Sequence, residues 1–170
     1  MRILRTALVG LSLALGLGCA GTAEMLGDLA GLDLQMKLGE AAVHPADFPA
    51  APPVGGKKQM SMALTTSSEA VNLPDGVEIE LEEGASYRTE LITYQLSPAD
   101  VDAAVATART EVETAGWTTA EVEASPDDAE VHLYADDQAL FLVLGGAEED
   151  DDEGVLVLMR LQPSEEPANE

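Results

Sequence analysis

A helical stretch with clear ends decides the fold of this chain. Residues 97–117 read SPADVDAAVATARTEVETAGW, with apolar side chains three and four positions apart, as in a helix with one buried face. Ser97 is a favourable N-cap, and Pro98 suits the first turn, where a missing N–H costs nothing. Gly116 is placed to end the helix in a left-handed conformation, and Trp117 is expected to anchor that end to the core. The apolar face is made of small side chains, which predict close packing on a sheet: Val101, Ala104, Val105, Ala108, Val112 and Ala115.

Strand patterns lie on both sides of this helix. Before it, Val77–Glu82 alternates apolar and acidic residues, and Tyr87–Leu96 follows after a turn. After it, Ala139–Leu144 is a continuous apolar run, which is typical of a strand buried on both faces. The expected strands are residues 60–64 (as an edge strand), 77–82, 87–96, 118–124, 131–135, 139–144 and 155–161. This order predicts an α+β domain, an antiparallel β-sheet with one main helix packed on one face.

The chain before residue 60 has the composition of a tether. Residues 22–39 fit both a helical stripe and an alternating strand, and we expect a short helix followed by an extended piece. Four prolines between Pro45 and Pro53, followed by Gly55 and Gly56, predict a stiff, extended linker. The expected division is a signal peptide at 1–18, an anchored segment and Pro-rich linker at 19–59, the α+β domain at 60–162, and a disordered acidic tail at 163–170.

The first 19 residues have the layout of an export signal. Arg2 and Arg5 precede the apolar run Thr6–Gly18, so the positive end would stay in the cytoplasm while the run enters the export channel. The run is shorter than the roughly 20 residues that span a bilayer, so it is not a transmembrane helix. The end of the run resembles the lipobox of bacterial lipoproteins, and the resemblance is carried by Leu15, Gly16, Leu17, Gly18 and Cys19.

The resemblance implies cleavage before Cys19, diacylglycerol on its sulfur and an acyl chain such as palmitate on its amine. Gly16 departs from the family pattern, in which an aliphatic residue is usual. The residue after the cysteine is Ala20 and not aspartate, which in a Gram-negative envelope implies delivery to the outer membrane. Cys19 is the only cysteine, so it has no disulfide partner in the chain, and a lipid accounts for it. The alternative hypothesis is a secreted protein without lipid, in which an ordinary signal peptidase cleaves after Ala23.

The charge of the chain excludes one class of partner. It has 32 acidic and 8 basic residues, a net charge of −24. Because Arg2 and Arg5 lie in the predicted signal, the mature chain would carry 6 basic residues and a net charge of −26. Such a chain repels the phosphates of nucleic acids, so we expect no nucleic-acid partner.

Catalytic residue types are few and are not arranged in a motif. His44 lies in the proline-rich stretch, and His132 lies on the polar side of a predicted strand, so both are expected to be solvated. A hydrolase arrangement of Ser86 or Ser125 with His132 is neither excluded nor supported by the sequence. A structural zinc site needs three or four ligands, which this cysteine and histidine content does not supply. We therefore expect no enzyme and no cofactor.

An acidic run is the densest local feature. Glu148–Glu153 holds six consecutive acids, of which Asp150, Asp151 and Asp152 are candidate calcium ligands. The pattern lacks the spacing of an EF-hand loop, and a solvated hairpin loop is the preferred interpretation. The sequence thus favours a non-catalytic accessory or interaction module, lipid-anchored in the cell envelope and facing an envelope protein partner. A lipoprotein that binds cations or small ligands through its acidic surface is the alternative.

Overall fold

The computed structural model describes residues 24–29, 32–68, 81–120, 130–136, 139–147 and 152–164, with side chains from Leu34 onward. The strands are β1 (Glu24–Leu29), β2 (Leu32–Leu38), β3 (Lys57–Ser67), β4 (Ser86–Leu96), β5 (Thr118–Ala120), β6 (Glu130–Ala135), β7 (Leu140–Ala147) and β8 (Gly154–Pro163). The helix α1 spans Pro98–Thr114, and a single 3₁₀ turn covers Gly39–Ala41.

The eight strands form one sheet in the order β1-β2-β3-β4-β8-β7-β6-β5, and every neighbouring pair is antiparallel. Each half is a meander of four strands whose neighbours in sequence are neighbours in space. Helix α1 carries the chain from β4, in the middle of the sheet, to β5 at the far edge, and three further strands then return it to β4. The predicted α+β class, an antiparallel sheet with one main helix on one face, is confirmed.

Helix α1 packs on β7 and β8 through the predicted stripe. Val101, Val105, Ala108 and Val112 are all buried. The helix ends as expected, because Gly116 has a φ of +96° and Trp117 N–H donates to the carbonyl of Val112 at 3.3 Å. The start differs in detail: Ser97 makes no side-chain bond to the backbone, and its hydroxyl donates to Asp100 at 2.6 Å instead.

Two strand glycines bring the helix unusually close to the sheet. A Cβ added to Gly145 on β7 would overlap the Cγ2 atom of Val105, and one added to Gly154 on β8 would overlap Val101 Cγ2. Neither position has room for even one methyl group while the helix stays where it is. The small residues of the helical stripe and these glycines therefore form one complementary contact.

The N-terminal part of the chain is sheet, which corrects two predictions. Residues 24–29 form a strand where a short helix was expected. The predicted edge strand at 60–64 is interior, because β3 pairs with β2 on one side and β4 on the other. The domain therefore includes β2 and does not begin at residue 60. Most of the predicted strand at 77–82 and of the predicted tail at 163–170 lies outside the described residues, although Pro163 itself ends β8.

The prediction of a linker at 40–59 is wrong for the proline-rich part. Residues 42–53, which we call the strap, cross the sheet on the same side as α1. Ala42 and Ala50 are fully buried, and the Phe48 ring meets Phe141 edge-on at 5.2 Å between centroids. Pro49, Pro52 and Pro53 remove backbone donors, but burial of neighbouring apolar side chains holds the segment against the domain. The prolines thus shape a docked segment instead of a spacer.

The two faces of the sheet differ in charge. The helix face carries apolar residues under α1 and the strap, together with the charged or titratable side chains of Lys37, Arg88, Glu90, His132 and Arg160, as the strand register shows. The opposite face, which we call the uncharged face, has no charged side chain in its central rows among the described residues; Lys57, opposite Gln95 at the start of β3, lies at its margin. Its members come from every strand for which side chains are described.

Candidate functional site

Cys19 and the lipobox-like residues Leu15, Gly16, Leu17 and Gly18 lie outside the described residues. The structure bears on them only through the position of β1, which begins at Glu24. Four residues, 20–23, separate Cys19 from the first residue of β1, so the five steps of an extended connection reach at most about 18 Å. Any lipid on Cys19 would therefore be tied closely to the edge of the sheet.

His44 is an internal residue of the strap, so the prediction of a solvated histidine is wrong. Its Nδ1 atom lies 2.8 Å from the hydroxyl of Tyr94, and its ring stands edge-on to Phe48 at 5.4 Å between centroids. Burial lowers the pKa of His44 from 6.5, while a backbone hydrogen bond at Ala50 and the charge of Glu111 oppose the shift. Burial also raises the pKa of Tyr94 to about 12. The pair joins strap to sheet, and His44 also lines an open cavity of about 540 Å³ between the strap and α1, together with Phe48 and Glu111.

His132 lies on the helix face, not on a solvated side of β6. It stands opposite Val143, and Tyr134, two residues along on the same face, is 1% exposed in the core. The expected wet side of β6 therefore faces the core, while its apolar side is buried as predicted at Leu133, which is 3% exposed. The Tyr134 hydroxyl contacts Glu113 of the helix at 3.4 Å, and burial raises its pKa.

A Ser86–His132 pair does not form. His132 shares a cross-strand row with Val143, Leu158 and Ile92, so three strand spacings separate it from β4, or about 14 Å. Ser86 lies six residues further along β4, which adds about 20 Å along the strand. Ser125 lies outside the described residues. The hydrolase arrangement with Ser86 is excluded.

Arg160 is the buried charge that fastens the strap. It is 5% exposed, and its Nη2 atom donates to Asp47 at 2.8 Å and to Glu90, while Nη1 donates to the Asp47 carbonyl at 3.2 Å. Its guanidinium lies 5.1 Å from the centre of the Phe48 ring. Burial opposes ionisation of Asp47, but the hydrogen bond and charge of Arg160 prevail and lower the pKa of Asp47. Arg88 pairs with the same Glu90 at 3.1 Å.

Arg88 and Glu90 also line a small cavity of 170 Å³ between the strap and the outer strands. Among its lining residues are Gln35, Lys37, Ser61, Arg88 and Glu90. Its volume suits a few water molecules, at about 30 Å³ each, and falls short of the 300–1,000 Å³ that is usual for a cofactor pocket. Sequence reasoning missed the cluster. The sequence does contain one signal for it: Arg160 continues the alternation of Leu156 and Leu158, which places an arginine on an otherwise apolar strand face.

The acidic run is only partly described. Asp150 and Asp151 lie outside the described residues, whereas Asp152 and Glu153 are exposed just before β8. Across the described ranges, no group of three or more histidine, cysteine, aspartate or glutamate side chains is placed to hold a metal ion. Nor does any described helix have the length and hydropathy to cross a membrane.

The largest organised surface is the uncharged face. Directly opposed residues of neighbouring strands lie on the same face, so the register arranges this one in rows. The middle row is Leu133, Leu142, Met159, Leu91, Met62 and Met36; a second is Ala135, Leu140, Leu161, Thr89, Leu64 and Leu34; a third is Val131, Leu144, Val157, Thr93, Met60 and Leu38. Helix α1 and the strap pack on the other side of the sheet, which leaves much of this face half-buried.

One end of the uncharged face is covered by the chain itself. Leu81 and Ala85 pack on a cluster that includes Tyr87, Leu133 and Leu140. The Tyr87 hydroxyl accepts a hydrogen bond from the backbone N–H of Glu82 at 2.9 Å, which fixes this loop. In the described part of the chain, no helix or strand packs on the remaining rows.

An α+β domain with a helix and a docked strap on one side of an eight-stranded sheet, and an apolar surface on the other, is thus the class of protein that the structure defines. No family model, curated protein or solved structure matches this chain.

Proposed function

We propose that this chain is a lipid-anchored protein of the bacterial cell envelope whose domain acts by binding, as an accessory or interaction module, and not by catalysis. The lipobox-like residues before Cys19 and the absence of a second cysteine support the anchor. Ala20 at the next position supports the outer membrane as its destination.

The short connection between anchor and sheet carries the proposal. Because β1 begins at Glu24, residues 20–23 are all that separates a lipidated Cys19 from the edge of the sheet. The strap is docked and adds no length. The anchored domain would therefore lie beside the lipid headgroups instead of standing away from them on a spacer, and it would act on what is present at the membrane surface.

The use of the ionisable groups supports binding over catalysis. Arg160, Asp47 and Glu90 bind one another, and His44 contacts Tyr94 within the packed strap. These groups fasten the strap to the sheet. In the cavity that His44 lines, its Nδ1 atom is held by Tyr94, and Glu111 accepts a hydrogen bond from the backbone N–H of Ala51. The extensive apolar rows of the uncharged face are instead suited to contact with another molecule.

The intact mass of the protein purified from membranes tests the anchor. We expect the mass of residues 19–170 plus a diacylglycerol and one acyl chain, with the protein in the membrane fraction. A Cys19→Ala variant should leave that fraction and lose the lipid mass, whereas Ala20→Ser, which alters a neighbour, should keep both. An unmodified Cys19, or a mature chain starting after Ala23, would refute the proposal.

A further inference from the structure

We infer that the uncharged face binds the acyl chains of a lipid that the protein carries as a ligand. The inference rests on the proposed binding role of the domain and not on the anchor at Cys19. It is argued from the composition of the face, its dimensions, the charge around it and the kind of side chain at its centre.

The composition of the face departs sharply from that of the chain. Charged residues make up 24% of the sequence, and yet Lys57, at the margin of the face, is the only charged side chain among those described on it. Its other polar members are neutral, such as Thr89, Thr93 and Gln95 on β4. A solvated sheet face in so acidic a protein would be expected to carry carboxylates, as alternation of apolar and polar residues is the rule for such faces.

The dimensions of the rows match an extended hydrocarbon chain. The middle row crosses from Leu133 on β6 to Met36 on β2, five strand spacings or about 24 Å. The acyl chains of one leaflet fill half of the bilayer's hydrocarbon core, so one chain is about 15 Å long. A chain laid across the half-buried middle of this row, from Leu142 to Met62, would therefore touch apolar side chains along its whole length, and the third row lies parallel to take a second chain.

Charge favours an uncharged occupant over a second copy of this protein. Two copies packed face to face would bring together two chains of net charge −24 each. Exposed acids also stand at both ends of the strands, with Glu82 and Glu83 at one end and Asp152 and Glu153 at the other. These carboxylates repel anionic headgroups. The ligand is accordingly a lipid with a neutral or zwitterionic headgroup, held by its tails.

The centre of the face is adaptable. Met36, Met62 and Met159 lie in the middle row, with Met60 in the next. Methionine side chains are unbranched and polarisable, and they fit surfaces of irregular or changing shape. Such side chains can follow a flexible acyl chain in more than one conformation.

Titration of the mature chain carrying Cys19→Ser with a fluorescent phosphatidylcholine, kept below its micelle concentration, tests the inference. This variant has no lipid of its own, so the anchor does not compete. We expect saturable binding of one lipid per chain, little affected by salt, and displacement by unlabelled phosphatidylcholine. Met62→Asp should weaken binding about tenfold or more, because the carboxylate would lose its hydration against the acyl chain. Met62→Leu should retain it.

Val54→Asp is the matched control, since Val54 is 98% exposed and lies outside the face. Trp117, the single tryptophan, lies on the helix side of the sheet, and its fluorescence emission reports whether each variant is folded. If Met62→Asp does not fold, Met159→Gln and the displacement experiment provide the same comparison.

Three outcomes overturn the inference. Absence of saturable binding does so directly. A dimer seen by light scattering, which Met62→Asp dissociates, assigns the face to a second copy of the chain. Binding only to intact phosphatidylcholine vesicles, and not to single lipid molecules, assigns it to the bilayer surface. None of these results affects the mass of the native protein, so failure here is distinguishable from failure of the proposed anchor.

Discussion

Replacing Gly145 with alanine tests the close contact between helix and sheet. The added Cβ would overlap Val105 Cγ2 and would lie 3.3 Å from Val101 Cγ1, and both valines belong to α1. Either the helix must move away from β7, or Val105 must leave its rotamer in a site where it is 1% exposed. Overpacking of this kind costs about 1–3 kcal/mol. Alanine also reduces the conformational entropy of the unfolded chain, which stabilises the folded state by about 0.4–1 kcal/mol. We expect a net loss of about 1–2 kcal/mol.

Urea unfolding followed by Trp117 fluorescence measures this loss, because Trp117 packs against Phe141 at 5.8 Å beside the end of α1. The midpoint should fall while the slope with urea stays the same. Val105→Ala alone should also destabilise, since it leaves a cavity. In the double variant the new methyl group enters that cavity, so the two losses should not add. An unchanged midpoint for Gly145→Ala, or strictly additive losses, would show that the contact is not as close as described.

Two further predictions concern the strap. Arg160→Met should lower the free energy of unfolding by about 1–3 kcal/mol in the same urea assay, because Glu90 keeps Arg88 but loses its bond to Arg160, and Asp47 loses the hydrogen bonds that tie it to β8. Arg88→Met, at a more exposed site, should cost at most about 1 kcal/mol, and equal losses would contradict the assigned role. Since burial lowers the pKa of His44 in the folded chain, the unfolded chain takes up the proton first, and the melting temperature should fall as the pH drops from above 6.5 through the folded-state pKa. His44→Gln should flatten the dependence over that window; an unchanged slope would exclude His44 as its source.

The features that could be predicted from the sequence are those set by local pattern. Helix α1, its glycine end and the anchoring role of Trp117 follow from spacing within about 20 residues, as do β4 and the alternation of β8. Hairpin connections then favour strands that pair with their neighbours, which is what β5 to β8 do. The predicted fold class is confirmed for this reason.

The features that were missed depend on contacts between distant parts of the chain. Arg160 and Asp47 are 113 residues apart, and nothing near Pro49 indicates that an arginine will hold this segment. The prolines correctly indicate a segment without regular backbone hydrogen bonding. They do not indicate that Phe48 and Ala50 in this segment are buried. His132 was misplaced because β6 is apolar or buried on both faces, so alternation alone did not identify the wet side.

The order of strands also determines when the sheet becomes complete during synthesis. The first meander ends at β4, whose outer edge is satisfied by β8, the last of the described strands to be made. Until β8 arrives, both half-sheets have open edges, and Arg160, carried by β8, is not yet present to bind the strap. A chain interrupted before residue 154 would therefore lack the central ladder and the fastening of the strap together. Completion of the sheet is thereby made dependent on the synthesis of β8, and shorter chains are left with exposed edges that invite aggregation.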